Sequence, residues 1–205
     1  MKKLILLWFL MMCIGGCDEK MIIFKCEGYA EKDGSNCYEI KVNKTEVDVA
    51  TFECLGNGYG KDKNTVFRFH TKTHFDASSF ERIGGDYNKD RNGVYYHEAK
   101  IEGADILTFE ILGDGVHEVV FAKDSNNAYF IGSKIVDAKA KTFEVLDDEF
   151  AQDGDSVYMK DSKILGADVE TFRALGESRK DVTGVIYNAE DKNNYYFDRQ
   201  VVKKK

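Results

Sequence analysis

The hydrophobic and polar positions of this chain follow a pattern that recurs about every 28–34 residues. Each copy contains an Asp with an aromatic residue five positions later: Asp33/Tyr38, Asp62/Phe67, Asp90/Tyr95, Asp124/Tyr129, Asp153/Tyr158 and Asp191/Tyr196. A Phe stands eighteen or nineteen positions after each of the first five Asp residues: Phe52, Phe80, Phe109, Phe143 and Phe172. Self-similarity at a period of this length is typical of repeat proteins.

The residues after each Asp predict a β-hairpin. In one copy, Asp90-Arg91-Asn92 suits a turn, because short polar side chains hydrogen-bond their own backbone, and Val94-Tyr95-Tyr96 has the β-branched and aromatic character of a strand. A polar turn at Glu98-Ala99 then leads to a second short strand at Ile101. An aromatic residue also precedes most of the Asp residues, which indicates a third strand and a meander.

A short helix is predicted after each hairpin. Its N-cap would be the Asp four residues before the repeat Phe: Asp48, Asp76, Asp105 and Asp168. Its C-terminal cap would be the Gly after the last apolar residue: Gly56, Gly84, Gly113 and Gly176. Between the caps, residues such as Ile106, Phe109 and Leu112 form an i, i+3, i+6 apolar stripe. Lys139 and Asp147 replace both caps in the fourth helix, which we expect to fray most.

No copy can be stable alone, because an isolated hairpin is marginal in water and a helix of about seven residues is too short. The predicted fold class is therefore α+β, mainly antiparallel β. Tandem repeats of a β-hairpin or meander plus a short capped helix would stack into an elongated array. The repeat domain would span residues 31–205 with about five and a half copies, and residues 17–30 would form a capping half-repeat.

The first residues have the features of an export signal. Lys2 and Lys3 precede an apolar stretch, Leu4–Ile14, that is too short to span a bilayer as a helix. Ile14-Gly15-Gly16-Cys17 resembles the lipobox of bacterial lipoproteins, which implies that Cys17 becomes a lipid-modified N-terminus, and two or three acyl chains anchor a protein durably. We predict a signal peptide over residues 1–16 and a membrane anchor at Cys17. The alternative is an ordinary signal peptide in which Cys17 has no role.

The charge of the chain argues against a nucleic-acid partner. The 29 Lys and Arg residues face 36 Asp and Glu residues, and removal of Lys2 and Lys3 with the signal peptide leaves 27 against 36, a net charge of −9. The one basic cluster, Lys203-Lys204-Lys205, is expected to be a solvated tail. The chain also has no Pro and no linker rich in Gly and Ser, so no second domain is indicated.

Three cysteines remain outside the leader and Cys17, namely Cys26, Cys37 and Cys54. An odd number of thiols cannot all pair within one chain. They could be buried as small apolar side chains, or one disulfide could form outside the cytoplasm with partners that the sequence does not identify. No His has a recognisable spacing to any of them, so a Cys nucleophile is not indicated.

Candidate metal and catalytic residues are better explained by structure. Asp and Asn recur two apart in the turns, as in Asp62/Asn64, and calcium prefers such oxygen ligands, but no further ligands complete a calcium loop. His70 and His74 are four apart without an HExxH motif or a Cys pair. His97 and His117 are isolated and expected at the surface. The carboxylates recur in several copies and therefore suit a structural role, so we predict no catalytic, cofactor-binding or metal residue.

The sequence Asp191-Lys192-Asn193-Asn194-Tyr195-Tyr196 resembles the DKNYY family of bacterial repeat proteins, and the copies that begin at Lys61 and Lys89 fit the same pattern. The resemblance covers about Glu31 to Val202. It implies a lipoprotein of the cell envelope, located on the periplasmic or cell-surface side, and it carries over no site residues.

Two functions from different classes are compatible with these features. The first is a non-enzymatic module that binds a protein or glycan through its repeat surface, with Tyr96, Phe130 and Phe197 as candidate contact residues. These aromatics could equally form a second packed layer of the sheet. The second is an envelope-associated hydrolase with a carboxylate-based site formed between repeats. A cleft that gathers carboxylates from different copies would favour the hydrolase.

The proposed anchor generates a direct prediction. In cells supplied with a radiolabelled fatty acid, the full-length protein should incorporate the label, and Cys17→Ser should not, because its hydroxyl cannot form the thioether to the diacylglyceryl group. Cys13→Ser, which lies in the leader but outside the lipobox, serves as the matched control and should retain the label. Equal labelling of Cys17→Ser and the parent protein would contradict the anchor.

Overall fold

A computed structural model describes residues 21–27, 37–113 and 121–205, and their regular structure is almost entirely antiparallel β. The strands of these segments form one two-stranded and five four-stranded sheets. Sheet 1 pairs β1 (Met21–Glu27) with β2 (Cys37–Asn43) over seven residues of each strand. The chain divides into two compact units, residues 1–72 with sheets 1 and 2, and residues 73–205 with sheets 3 to 6.

The four-stranded sheets share one plan. Sheet 2 contains β3 (Glu53–Gly56), β4 (Tyr59–Lys61), β5 (Val66–Arg68) and β6 (Thr71–Lys72). Sheet 3 contains β7 (Glu81–Gly84), β8 (Tyr87–Asp90), β9 (Gly93–Tyr96) and β10 (Ala99–Lys100). Sheet 4 contains β11 (Glu110–Leu112), β12 (Phe121–Lys123), β13 (Ala128–Phe130) and β14 (Ser133–Lys134). Sheet 5 contains β15 (Glu144–Val145), β16 (Phe150–Gln152), β17 (Val157–Met159) and β18 (Ser162–Lys163). Sheet 6 contains β19 (Arg173–Lys180), β20 (Ile186–Glu190), β21 (Asn194–Phe197) and β22 (Gln200–Lys204).

Each four-stranded sheet is a meander in which neighbouring strands follow one another along the chain. The repeat Asp lies at the turn between the second and third strands, as in sheet 3, where Lys89 pairs with Val94 and Asn88 with Tyr95. The predicted hairpin and the strand before the Asp are therefore confirmed for the copies from Asp62 onwards, whereas Asp33 falls outside the described residues.

The predicted capped helices are wrong, and with them the α+β class. Only a single turn follows each capping Asp. In one copy the N–H of Ser79 donates a hydrogen bond to the carbonyl of Asp76 (3.2 Å), and in another the N–H of Thr171 donates to the carbonyl of Asp168 (3.2 Å). The chain then becomes the first strand of the next sheet. Across the described residues, the helical structure is one 3₁₀ turn, Ala140–Thr142. It lies in the fourth copy, whose helix was expected to fray most.

Strand pairing explains this outcome. A helix of seven residues leaves most of its terminal N–H and C=O groups without intrahelical partners. In a strand, the same backbone groups form hydrogen bonds with the strand that follows the turn. Cross-strand ion pairs add to this pairing, as between Glu81 and Lys89 (3.3 Å) or Glu110 and Lys123 (3.6 Å). The apolar spacing that suggested a helix arises because the repeat Phe enters the core before the strand begins.

Neighbouring sheets of the second unit share their hydrophobic cores. One cluster contains Tyr87 and Val94 of sheet 3 and Ile101 directly after it. The same cluster contains Phe109, which precedes sheet 4, and Tyr129 of sheet 4. The Phe109 ring lies 5.6 Å from that of Tyr87 and 5.5 Å from that of Tyr129. Two further clusters repeat the same ring sequence: Phe121, Phe143 and Tyr158 in one, and Phe150, Phe172 and Tyr196 in the other.

The first unit is built on the same principle. Ile40 and Val42 of β2 pack with Phe67 of β5 in one cluster. Phe24 of β1 stacks on Phe52 with ring centroids 3.7 Å apart. The repeat Phe residues are thus core residues: Phe80, Phe109, Phe143 and Phe172 are buried, and Phe52 is half-buried.

The terminal lysines do not form a solvated tail. Residues 200–204 form β22, and Lys203 pairs with Asp181 at 2.5 Å. Lys205 pairs with Glu190 at 2.8 Å and lies over the ring of Tyr195, 4.8 Å from its centroid. No helix within the described segments is long and apolar enough to cross a membrane.

Core packing predicts the effect of one truncation. Phe109→Ala should lower the free energy of unfolding by about 3–5 kcal/mol, because it leaves a cavity between Tyr87 and Tyr129. Leu107→Ala, two residues away and 93% exposed, is the matched control and should change stability by less than about 0.5 kcal/mol. Denaturant unfolding measures both. Equal stability of the two variants would show that the aromatic contacts do not support the fold.

Candidate functional site: the aspartate nodes and the depression at Ser125

A buried carboxylate organises each four-stranded copy. Asp124 is only 4% exposed. Its Oδ1 accepts hydrogen bonds from the N–H groups of Asn126 and Asn127, both at 2.8 Å. Its Oδ2 accepts the N–H of Asp105 (3.0 Å) and the hydroxyl of Tyr129 (2.7 Å). We call this arrangement an aspartate node.

The node recurs at Asp62, Asp90, Asp153 and Asp191, all buried. Each accepts the backbone N–H of the residue that opens the preceding turn: Asp48 (2.7 Å), Asp76 (2.8 Å), Lys139 (2.9 Å) and Asp168 (2.9 Å). Tyrosine hydroxyls donate to these carboxylates from Tyr95, Tyr158 and Tyr196. At Asp62 the corresponding residue is Phe67, so that node forms without a hydroxyl.

A second hydrogen bond accompanies every node. The N–H of the residue after the node Asp donates to a Thr or Ser hydroxyl that lies one residue before the repeat Phe. The pairs are Lys63 to Thr51, Arg91 to Ser79, Ser125 to Thr108, Gly154 to Thr142 and Lys192 to Thr171, at 2.9–3.2 Å. We call the residues that connect one sheet to the next a crossover segment. This hydrogen bond joins the crossover segment to the hairpin turn and does not involve the carboxylate.

The donors determine the charge state of the node. Burial acts to raise the pKa of Asp124, but the N–H donors and the Tyr129 hydroxyl outweigh it and hold the pKa below its ordinary value. The pKa of Asp191 is lowered in the same way, because its hydrogen-bond donors outweigh the effect of burial. Burial, followed by the hydrogen bond to the carboxylate, raises the pKa of Tyr158 and of Tyr196 to about 12.

The nodes account for the recurring Asp and Asn residues that suggested calcium. In each node the backbone donors occupy the carboxylate oxygens, and residues such as Asn126 contribute their N–H groups rather than side-chain oxygens. In the parts of the chain that are described, no three His, Cys, Asp or Glu side chains are grouped so that they could hold a metal ion.

The predicted histidine positions are explained by packing. The exposed His74 contacts the ring of Phe75 at 4.6 Å and that of Tyr95 at 5.4 Å. His97 contacts Tyr96 at 4.7 Å and lies 3.5 Å from the carboxylate of Asp86. His70 is exposed, and His117 falls outside the described residues.

One of the two interpretations of the cysteines, that they are buried as free thiols, is wrong for Cys54. It is disulfide-bonded and lies on the exposed side of β3, so it is not a buried thiol. Cys26 and Cys37 belong to the paired strands β1 and β2. Cys17, the predicted lipidation site, falls outside the described residues.

Two of the three aromatic contact candidates belong to the packed layer. Tyr96 is half-buried, with its ring 5.0 Å from that of Tyr87, and Phe130 lies 4.9 Å from Phe121. Phe197 is 40% exposed. The alternative interpretation, that these aromatic residues form a second packed layer of the sheet, therefore holds for Tyr96 and Phe130.

Two of the five nodes depart from the pattern of charges that the other three share. A cation directly after the node Asp pairs with the capping Asp in three copies: Lys63 with Asp48 (2.6 Å), Arg91 with Asp76 (2.8 Å) and Lys192 with Asp168 (2.7 Å). At the node Asp153 the residue directly after the Asp is Gly154, and Lys139, which takes the place of the capping Asp, pairs with Asp155 instead. In the fourth copy the residue after the node is Ser125, which cannot pair with Asp105.

A depression of about 360 Å³ lies at this position. Its lining includes Thr108, Glu110, Lys123, Ser125, Ala140 and Lys141, from sheet 4 and the two crossover segments beside it. Comparison of the copies would have marked Ser125 as a departure, because three other copies have Lys or Arg there and one has Gly154, but it would not have shown the depression.

The two carboxylates among the described residues that line this depression, Glu110 and the node Asp124, both belong to sheet 4 and its hairpin turn. A smaller one, of about 160 Å³, is lined by Asp147, Asp148 and Glu149 with Asn188 of sheet 6. Asp147 accepts the N–H groups of Glu149 and Phe150, and Glu149 pairs with Lys160 at 3.0 Å.

The meander sheets, shared cores and nodes define a tandem β-repeat protein. The profile of the DKNYY family matches residues 10–99 and again residues 75–200, so the chain belongs to the DKNYY family. Comparisons with curated proteins and with solved structures give no match.

The node geometry predicts an alkaline transition. A tyrosine whose pKa rises on folding stabilises the fold below its unfolded pKa of 10.0, and this contribution is lost as the pH rises towards about 12. The free energy of unfolding should therefore fall between pH 10 and 12. Tyr158→Phe should cost roughly 1.5–3 kcal/mol at neutral pH, the value of a hydrogen bond to a charged group, and should flatten this fall.

Tyr187→Phe is the control, because Tyr187 is half-buried against Tyr195 and belongs to no node. Its pH profile should run parallel to that of the parent protein. Parallel profiles for Tyr158→Phe as well would mean that the node hydroxyl does not contribute to stability.

Proposed function

We propose that the protein is a membrane-anchored lipoprotein of the bacterial cell envelope that binds a protein or glycan partner and catalyses no reaction. The anchor is supported by the sequence from Lys2 to Cys17 alone. Membership of the DKNYY family is consistent with it.

The binding role is supported by how the chain uses its polar groups. The buried Asp residues and their Tyr partners are engaged with one another and with the backbone, so these groups maintain the frame. Residues available for a partner lie instead on the segments that connect one sheet to the next. In the second unit these are residues 101–109, 135–143 and 164–172, which we call the crossover edge.

Exposed apolar side chains on the crossover edge carry the proposal. Val136 is 69% exposed and Leu165 80% exposed, each directly before a residue with positive φ, Asp137 (62°) or Gly166 (78°). Leu107 on the first segment is 93% exposed. Single exposed apolar residues are common, but here successive crossover segments each present one. Such side chains gain little from folding and are available to a partner.

The proposal can be tested by capture from envelope extract. Full-length protein in detergent should retain a specific partner, and the double variant Val136→Gln, Leu165→Gln should lose most of it, because both side chains are exposed and their replacement removes only the contact. Val182→Gln is the matched control, since Val182 is fully exposed but lies between β19 and β20. Equal capture by the double variant and the control would contradict a binding role for the crossover edge.

A further inference from the structure

The depression at Ser125 lies where three other copies place a long cationic side chain. In the copies that have Lys63, Arg91 or Lys192 at this position, the cation reaches across the turn to the capping Asp. Ser125 keeps the backbone bond to Thr108 at 3.0 Å, so the turn itself is unchanged. The space that a long side chain fills elsewhere is therefore open here.

The open space is lined by groups that donate and accept hydrogen bonds. The hydroxyls of Thr108 and Ser125, the carboxylate of Glu110 and the ammonium groups of Lys123 and Lys141 all contribute. Glu110 and Lys123 are 3.6 Å apart, with the Glu110 side chain largely exposed. Lys141 makes no ion pair within the described residues, and it reaches the depression from the next crossover segment. Two successive segments of the crossover edge thus meet at one site.

The balance of charge and polarity selects among ligand classes. Two ammonium groups face two carboxylates, those of Glu110 and the node Asp124, so a strongly anionic ligand would gain no net attraction. No aromatic or large aliphatic side chain lines the depression, which makes an apolar ligand unsuitable. A sugar residue carries adjacent hydroxyls that both donate and accept, which matches this lining. The volume of about 360 Å³ lies within the roughly 300–1,000 Å³ typical of ligand sites.

We propose that the depression at Ser125 binds an uncharged sugar residue of a glycan. This rests on the proposed binding function and specifies the partner's chemistry. The depression lies between the exposed Leu107 and Val136 segments, so a glycan bound there would lie along the crossover edge.

The repeat itself supplies the test variant. Ser125→Lys introduces the residue that the other copies have, so it should pair with Asp105, as Lys192 does with Asp168 at 2.7 Å, and fill the depression. It should keep or raise the unfolding temperature and weaken saccharide binding at least tenfold. Lys192→Ser is the matched control, because it removes the same pair from another copy and leaves the Ser125 depression intact. Its saccharide affinity should equal that of the parent.

The probes are an N-acetylhexosamine disaccharide, a hexose disaccharide and sulfate, titrated into the full-length protein in detergent with calorimetric detection. Lys141→Ala, an exposed substitution that leaves the core untouched, should also weaken saccharide binding and provides a second variant if Ser125→Lys unfolds. Binding of sulfate in place of the saccharides, retained saccharide affinity in Ser125→Lys, or no saccharide binding by the parent would each overturn the assignment. Partner capture that depends on Val136 and Leu165 would leave the proposed function standing in all three cases.

Discussion

The hydrogen bonds to a buried aspartate are the interaction on which each copy depends. A carboxylate removed from water is costly unless donors surround it, and here the donors come from three separate parts of the copy. Asp124 receives them from the turn that enters the sheet, the hairpin that follows, and the third strand through Tyr129. The node therefore fixes the positions of these parts relative to one another. Loss of any donor leaves a buried charge less well compensated.

The aromatic rings extend this order from one sheet to the next in the second unit. Phe109, Phe143 and Phe172 each contact an aromatic residue of the preceding sheet on one side and the node Tyr of the following sheet on the other, as Phe143 does with Phe121 and Tyr158. A sheet thus completes its core only when its neighbour is present. This explains how sheets with strands as short as two residues can be stable, because the apolar surface that a single meander leaves exposed is covered by the next copy.

Departures from the repeat indicate where binding can develop. A residue that every copy requires is held by the frame, whereas a change in one copy that leaves the frame intact is free to acquire another role. Lys139 replaces the capping Asp and pairs with Asp155, two residues after the node Asp153, so that copy still has an ion pair. Ser125 removes a charge without compensation and leaves an open, polar site between two crossover segments. The same frame thus tolerates both changes, and a depression lies beside the second.

The sequence by itself determined the repeat, its period, the hairpin turns and the identity of the core aromatics, because these follow from local propensity and from residues that recur in register. It also indicated that Asp76 and its equivalents cap a turn. It favoured a helix after that turn, because Phe80 and Ile83 have the i, i+3 spacing of a helical face, and this was wrong because Phe80 lies in the core before the strand begins. The tertiary structure decided it: the strand partner lies beyond the Gly turn, and its hydrogen bonds and Glu–Lys pairs exceed what one helical turn can offer. The depression at Ser125 likewise exists only once two crossover segments are placed side by side, which no local pattern specifies.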